Sequence, residues 1–300
     1  MYNPGRCRLL LLAALSMTMI HEVTASDIIA PGAKLKKLAD TYKFTEGPAS
    51  DKDGNIFFTD QPNDRIVKWS VDGTLSDWMK PAGRSNGTFF DKDGNLIACA
   101  DDKNELWSIT PDKKITVLFS DYNGKLLNGP NDLWIRPDGN IYFTDPLYPR
   151  DYWKRSAKTQ QPGEYVYFFN RADKQIRPVA TDLKQPNGII GSPDGKMLYV
   201  ADIGAHKTYS YNIEADGSLS DKKLFCNLGS DGMTRDEKGN VYLTGKGVTV
   251  FDSNGKQIEH IDVSEPWTGN VTFGGADHNI LFITASTAVY TLQMQVKGAY

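Results

Sequence analysis

The chain is poor in the residues from which redox, zinc and cross-link chemistry is built. It holds 3 cysteines and 4 histidines in 300 residues, and Cys7 and His21 both fall within the first twenty-five. Cys99 and Cys226 are too few and too far apart for a zinc site or a disulfide framework. Each lies in an apolar, strand-like context, so two buried thiols is the favoured reading and a bridge the alternative. The remaining histidines are scattered; His206 alone falls near the channel mouth inferred below, and it reads as a surface residue there. No Gly-x-Ser-x-Gly elbow, phosphate loop or Cys-x-x-Cys pair occurs, which removes the best-known serine-hydrolase, nucleotide and dithiol sites. There is no excess of positive charge either. The net charge is −3, which argues against nucleic acid as a partner, and no feature calls for an obligate protein partner.

Beyond residue 25 no apolar run approaches the roughly 20 residues of a spanning helix. The first twenty-five residues read as a signal peptide: Arg6 and Arg8, an apolar stretch from Leu9 to Leu15 extending to Ile20, and Val23-Thr24-Ala25 as a small-residue cleavage site. A periplasmic or secreted location, with cleavage near Ala25, is the expectation. Residues 26–300 then form one domain.

What the sequence does have is a repeat. The segments Asp51–Asp60, Asp91–Ala100, Arg136–Asp145, Ser192–Ala201, Asp236–Gly245 and, degenerately, Gly275–Thr284 each place a polar turn before a run of β-branched or aromatic residues. Each reads as a hairpin turn leading into a strand. The shared glycine falls at 54, 94, 139, 195 and 239, with His278 in its place in the last copy. The spacing suits blades of four short antiparallel strands, so the chain is expected to be an all-β, six-bladed β-propeller. The last blade lacks a fourth strand after Val289–Gln293. The N-terminal Lys34–Asp40 resembles the fourth strands of the other blades and is expected to close the ring there, removing the free edges.

Eight residues before each hairpin glycine, at the start of each innermost strand, stand Glu46, Asn86, Asn131, Asn187, Asp231 and Asn270. All six carry a carboxylate or carboxamide, and innermost strands line a propeller's channel. Hard oxygen donors with two formal negative charges suit Ca²⁺. Mg²⁺ ranks below it because it prefers to keep its water, and Zn²⁺ ranks lower still for want of His and Cys. The competing explanation is that Asn86-Gly, Asn187-Gly and Asp231-Gly are only turn dipeptides, which leaves Glu46 at the same register unexplained. Asn86-Gly-Thr and Asn270-Val-Thr spell glycosylation acceptors but fall at channel positions, so neither is read as glycosylated.

The second strand of each blade returns to the same face, which puts Asp60, Asp101, Asp145 and Asp202 around the channel mouth, as ligand contacts or as strand-end caps. The step of 56 residues between Gly139 and Gly195 reflects an insertion after Asp145 that carries Tyr148, Arg150, Tyr152, Trp153, Lys154 and Arg155. A loop of this length in a compact blade points to function. Aromatic and cationic side chains together suit a polyhydroxylated or anionic small molecule, and a flap without a ligand is the alternative.

At these residues the chain resembles the family of senescence marker protein 30, gluconolactonases and luciferin-regenerating enzymes. The matching motifs are Thr45-Glu46-Gly47-Pro48, Asn128-Gly129-Pro130-Asn131-Asp132, Gln185-Pro186-Asn187-Gly188, Ser192–Gly195 with Leu198–Asp202, and Ser230-Asp231-Gly232-Met233. Gluconolactonase-like members look closest, on Tyr142–Pro146 followed by Tyr148. The resemblance implies a divalent metal held by Glu46, Asn187 and Asp231, with Asn131 either ligating or binding substrate. It also implies hydrolysis of a sugar lactone or related ester. One departure is Gly129, where mammalian members carry arginine.

On this reading the metal acts as Lewis acid and Asp231 as general base, with Asp145 or Asp202 as the alternative base. Asn86, Asn131, Asp145, Tyr148 and Asp202 are the candidates for substrate contacts. A reading from another class is a non-enzymatic propeller that binds a glycan or protein around a structural metal, since the fold hosts both.

Overall fold

A computed structural model describes Met1 and residues 27–156 and 158–300, so the expected signal peptide lies outside the described residues. Six four-stranded antiparallel sheets surround one axis. The innermost strands of the six blades are Thr45–Ser50, Ser85–Phe90, Leu133–Ile135, Pro186–Gly191, Met233–Arg235 and Thr268–Gly274. Lys36–Ala39 pairs antiparallel with Ala288–Gln293 and supplies the outermost strand of the sixth blade, as expected from the sequence. Among the described residues no helix is long and apolar enough to cross a membrane.

The repeat owes its shape to local turn chemistry. In the first copy the Asp51 carboxylate accepts the amides of Asp53 and Asn55, and Gly54 takes a φ of +84°. Asp91 and Asp236 hold their turns through the same Oδ1. His278 replaces the glycine in the sixth copy and still adopts φ +54°, in the left-handed region that histidine enters more readily than most side chains. Its amide donates to Gly275 O just as that of Gly54 donates to Asp51 O, so the degenerate copy keeps the turn.

Strand residues that face neighbouring blades form the core. Ile56, Phe58 and Phe282 pack where the first and sixth blades meet, and Trp134, Tyr142 and Leu198 where the third and fourth meet. The thiols of Cys99 and Cys226 are free and buried in this packing. At the far end of the axis the C-terminal segment crosses the hairpin turns. Gly298 bridges to Asp236, Tyr300 donates to Gly191 O, and the Tyr300 ring meets that of Phe89. The opposite end remains open, and the polar ring lies there.

Candidate active site

The ring residues sit where strand pairing breaks. Register shifts occur between Glu46 and Ala49, Ser85 and Thr88, Pro186 and Ile189, and Thr268 and Asn270. In the third and fifth blades the innermost strand begins just after Asn131-Asp132 and Asp231-Gly232. A bulge re-aims a side chain out of the normal alternation, and here it turns these side chains toward the axis.

A glycine follows four of the six ring residues, Glu46, Asn86, Asn187 and Asp231, and it has a different task from a turn glycine: it admits the next blade. A Cβ on Gly47 would lie 2.0 Å from Asn86 O, one on Gly87 2.5 Å from Asn131 O, and one on Gly188 2.7 Å from Asp231 O. On Gly232 it would meet Asn270 Oδ1 at 2.0 Å. Asn86-Gly, Asn187-Gly and Asp231-Gly are therefore points of close approach between blades at the axis.

Glu46, Asn86, Asn131, Tyr148, Arg150 and Asp231 line a cavity of about 190 Å³ with Phe44, Ile203 and Trp267. Asn187 adjoins it, its Nδ2 donating to Asp231 Oδ1 at 2.9 Å and to Tyr148 Oη at 3.0 Å. Its Oδ1 is buried with no hydrogen-bond partner. Trp267 Nε1 donates to Asp231 Oδ2 at 2.6 Å, so both carboxylate oxygens are oriented and each keeps a lone pair. Glu46 Oε2 accepts from Gly47 N and from Asn270 Nδ2. Asn270 is thus the sixth member of the ring but lies beneath Glu46 and borders the chamber at the far end of the axis.

Buried carboxyls are concentrated here, with the Arg150 guanidinium as the cationic side chain that lines the same cavity. Burial, then the nearby Asp231 charge, holds the Glu46 carboxyl well above the usual carboxylate range. Burial likewise pushes Asp231 up to about 6, against the pull of the Trp267 and Asn187 donors. Asp132 is pushed up to about 7, again by burial first. Crowded buried carboxylates and an orphaned amide oxygen are a donor set that a hard cation completes. Among the described residues no group of three or more His, Cys, Asp or Glu could hold a metal. A cation bound here would need the carboxamide oxygens.

The mouth carboxylates go elsewhere. Asp145 accepts from Asn128 N through Oδ2 and from Gly129 N through Oδ1, while Asp202 accepts from the amides of Lys184, Gln185 and Ala205. Asp60 accepts from Lys43 N and pairs with Arg65. All three are buried, and none lines the cavity. This differs from the expectation that Asp145 and Asp202 contact substrate or serve as a base. Their oxygens tie the loops that enter the innermost strands, the capping role weighed as the alternative. His206 closes a single 3₁₀ turn at φ +54° and does not line the cavity.

Asp101 anchors the insertion. Its Oδ2 accepts from Tyr152 Oη at 2.6 Å and from Trp153 Nε1 at 2.9 Å, with Arg155 3.8 Å from Oδ1. Arg155 stacks over Trp153 and donates to Asn128 O. A Cβ on Gly129 would meet Asp101 Oδ1 at 2.9 Å, so insertion residues and their anchor fill the place that a side chain at 129 would take. Docked this way, the insertion delivers Tyr148 and Arg150 to the cavity.

Two residues next to the ring escaped the sequence argument. Asp132 was visible only as the neighbour of Asn131. Trp267 precedes Asn270 by three positions and has no counterpart in the other repeats, so no periodicity marks it.

A six-bladed propeller with a buried acid-and-amide ring and a docked loop at one open end defines a class of axial-pocket propellers. Within it, a family model described as the SMP-30/Gluconolactonase/LRE-like region matches residues 44–287, and the chain belongs to that family. The gluconolactonase of Zymomonas mobilis is 26% identical over 302 aligned positions, covering 90% of this chain and 84% of its own. A solved gluconolactonase structure from Xanthomonas campestris superimposes with a TM-score of 0.83 at 29% identity, covering 89% of this chain and 91% of that one. The structure of regucalcin, a calcium-binding protein from Agrobacterium tumefaciens, shares the fold, with a TM-score of 0.73 at 19% identity and coverage of 89% of this chain and 95% of that one.

Proposed function

We propose that this protein hydrolyses a sugar lactone or a related ester at the axial ring, using one divalent cation, Ca²⁺ before Mg²⁺ or Zn²⁺. The carrying observation is the unpartnered Asn187 Oδ1 beside the paired charges of Glu46 and Asp231. Glu46, Asn187 and Asp231 would hold the cation, with Asn131 as a fourth ligand or a substrate contact. When bound, such an ion supplies Lewis-acid stabilisation of the charge that develops on the carbonyl oxygen.

The chain's own groups do the rest. Asp231 Oδ2, aimed by Trp267, is the site for the proton of the attacking water. Asn86 and Asn131 line the cavity and have no side-chain hydrogen-bond partner among the described residues, so both are available to substrate hydroxyls. Tyr148 Oη, which accepts from Asn187, has its own proton to donate to a substrate oxygen. Asp145 and Asp202 spend their oxygens on loop amides, which supports Asp231 as the base. A binding-only propeller would call for a cation shell filled by protein. The space of about 190 Å³ against the ring favours a reacting molecule instead.

The test is a panel of neutral aldonolactones assayed with the purified protein as isolated, after chelation, and after return of Ca²⁺, Mg²⁺ or Zn²⁺. Hydrolysis that is lost on chelation and restored best by Ca²⁺ is expected. Hydrolysis indifferent to chelation would overturn the metal assignment, and no hydrolysis of any lactone the enzymatic one. We also propose that the mature chain starts near residue 26 in the periplasm or outside the cell, which N-terminal sequencing of the exported protein checks.

A further inference from the structure

A second and larger cavity, about 600 Å³, opens beside the ring and is lined by Phe44, Gln61, Pro62, Arg84, Pro149, Arg150, Asp151 and Tyr152. Phe44 and Arg150 belong to both cavities, so a group attached to a molecule at the ring leaves the inner space past Arg150. That guanidinium acts by charge on Asp101 and Asp231 but hydrogen-bonds neither. Among the described residues it has no hydrogen-bond partner, and its Nε is buried and unsatisfied. It lies over the Tyr148 ring at 5.4 Å, and its approach to Asp101, 4.0 Å, is beyond hydrogen-bonding distance. Asp101 is already engaged by Tyr152 and Trp153.

Across the cleft stands Arg84. It stacks over Tyr152 at 4.3 Å and donates through Nη1 to Pro62 O, while its Nε remains 4.0 Å from the exposed Asp102. Its backbone adopts φ +48°, a region in which arginine costs more than glycine or asparagine. The acids nearby, Asp102 and Asp151, are exposed to solvent.

We propose that this cleft is an oxyanion subsite: Arg84 and Arg150 receive a phosphate or carboxylate carried on the far side of the substrate from its reacting carbonyl. This rests on the lactonase reading and narrows its substrate class to lactones with an anionic substituent. A guanidinium offers a planar pair of N–H donors to such a group. Tyr152, Pro62 and Pro149 supply apolar walls for the carbon chain between.

The test compares glucono-δ-lactone, its 6-phosphate and a lactone bearing a terminal carboxylate. An expected gain of about tenfold or more in kcat/KM for an anionic form corresponds to one charge-assisted hydrogen bond. The gain should lie in KM and shrink as ionic strength rises. Arg84→Gln should remove most of it and leave hydrolysis of the neutral lactone within about twofold. Arg84→Lys should restore part of it, because the charge returns without the fork. Equal kcat/KM for neutral and anionic lactones in the unaltered protein, at low and high salt, would overturn the proposal even if Arg84→Gln fails to fold. If no lactone is opened, the lactonase reading fails by itself, and calorimetry with gluconate and 6-phosphogluconate then decides the subsite. Tighter binding of the phosphate supports it, and equal binding overturns it.

Discussion

Two groups of buried acids occupy the open end of this propeller, and sequence position alone would treat them alike. Asp60, Asp145 and Asp202 end the second strands of their blades, and each accepts backbone amides of a neighbouring loop, with the second oxygen of Asp60 taken by Arg65 and Asn63. Glu46 and Asp231 begin innermost strands. They face each other's charge across the axis, with a tryptophan, two carboxamides and one glycine amide as their donors. Burial costs both groups hydration. In the first the loop amides occupy the oxygens, although burial still pushes Asp145 up to about 7. In the second an amide oxygen beside the pair is left without a partner, and the proposed cation would complete the set.

The comparison breaks first at Asp231. Asp231→Asn keeps the size and one oxygen donor but removes the charge and basicity. The hydrolysis rate at saturating Ca²⁺ should fall by about 10²–10⁴-fold, the usual cost of a lost general base, with the Tm of the metal-free protein unchanged or higher because a buried charge is gone. Near-complete recovery of the rate at confirmed metal occupancy would reduce Asp231 to a ligand.

A smaller effect is expected at Asn187. Asn187→Ala removes the orphaned oxygen together with the donor to Asp231, and Ca²⁺ affinity should drop by about tenfold, the scale of one interaction with a charged group. Excess Ca²⁺ should rescue part of the rate, whereas unchanged affinity in calorimetry would remove Asn187 from the ligand set. At Asp145 the pattern should invert. Asp145→Asn leaves one of two loop amides without its acceptor, costing about 1–3 kcal/mol of stability, while kcat/KM of the folded protein stays within about threefold. Thermal unfolding and steady-state kinetics on the same preparation separate the two outcomes.

The smallest effect concerns pH. Asp231 and Asp132, pushed up to about 6 and about 7 by burial, return to near 4 when unfolded. Between these values the folded protein binds more protons than the unfolded one. Their contribution to stability is therefore full below about pH 4 and is lost as pH rises through about 6 to 7. The Tm of the metal-free protein should carry a falling component over that window, smaller in Asp231→Asn and smaller again with Ca²⁺. An identical pH profile in the variant would show that Asp231 does not titrate there.

Much of the fold was legible because its determinants are local. The Asp-Gly turns repeat in the sequence, and His278 could stand in for the glycine because the turn asks only for a left-handed residue. Closure by Lys36–Ala39 followed from the missing fourth strand after Val289–Gln293. The ring was legible through its constant offset from the turn. The fate of the mouth acids was not, since their partners come from loops 17 or 18 residues away in the chain for Asp60, Asp145 and Asp202. An Asn-Gly pair also spells a turn as readily as a close approach between blades. Only the packing of Gly87 against Asn131 and of Gly188 against Asp231 distinguishes the two. Trp267 carries no repeat signal and was found by its 2.6 Å contact with Asp231.

The most direct measurement is calorimetric titration of Ca²⁺ into three chelator-stripped proteins: the unaltered chain, Glu46→Gln and Asp145→Asn. A cation site at the axis predicts one bound Ca²⁺ in the unaltered chain and in Asp145→Asn, with binding lost or severely weakened in Glu46→Gln. Equal Ca²⁺ binding in Glu46→Gln and the unaltered chain, with both proteins folded, would contradict it.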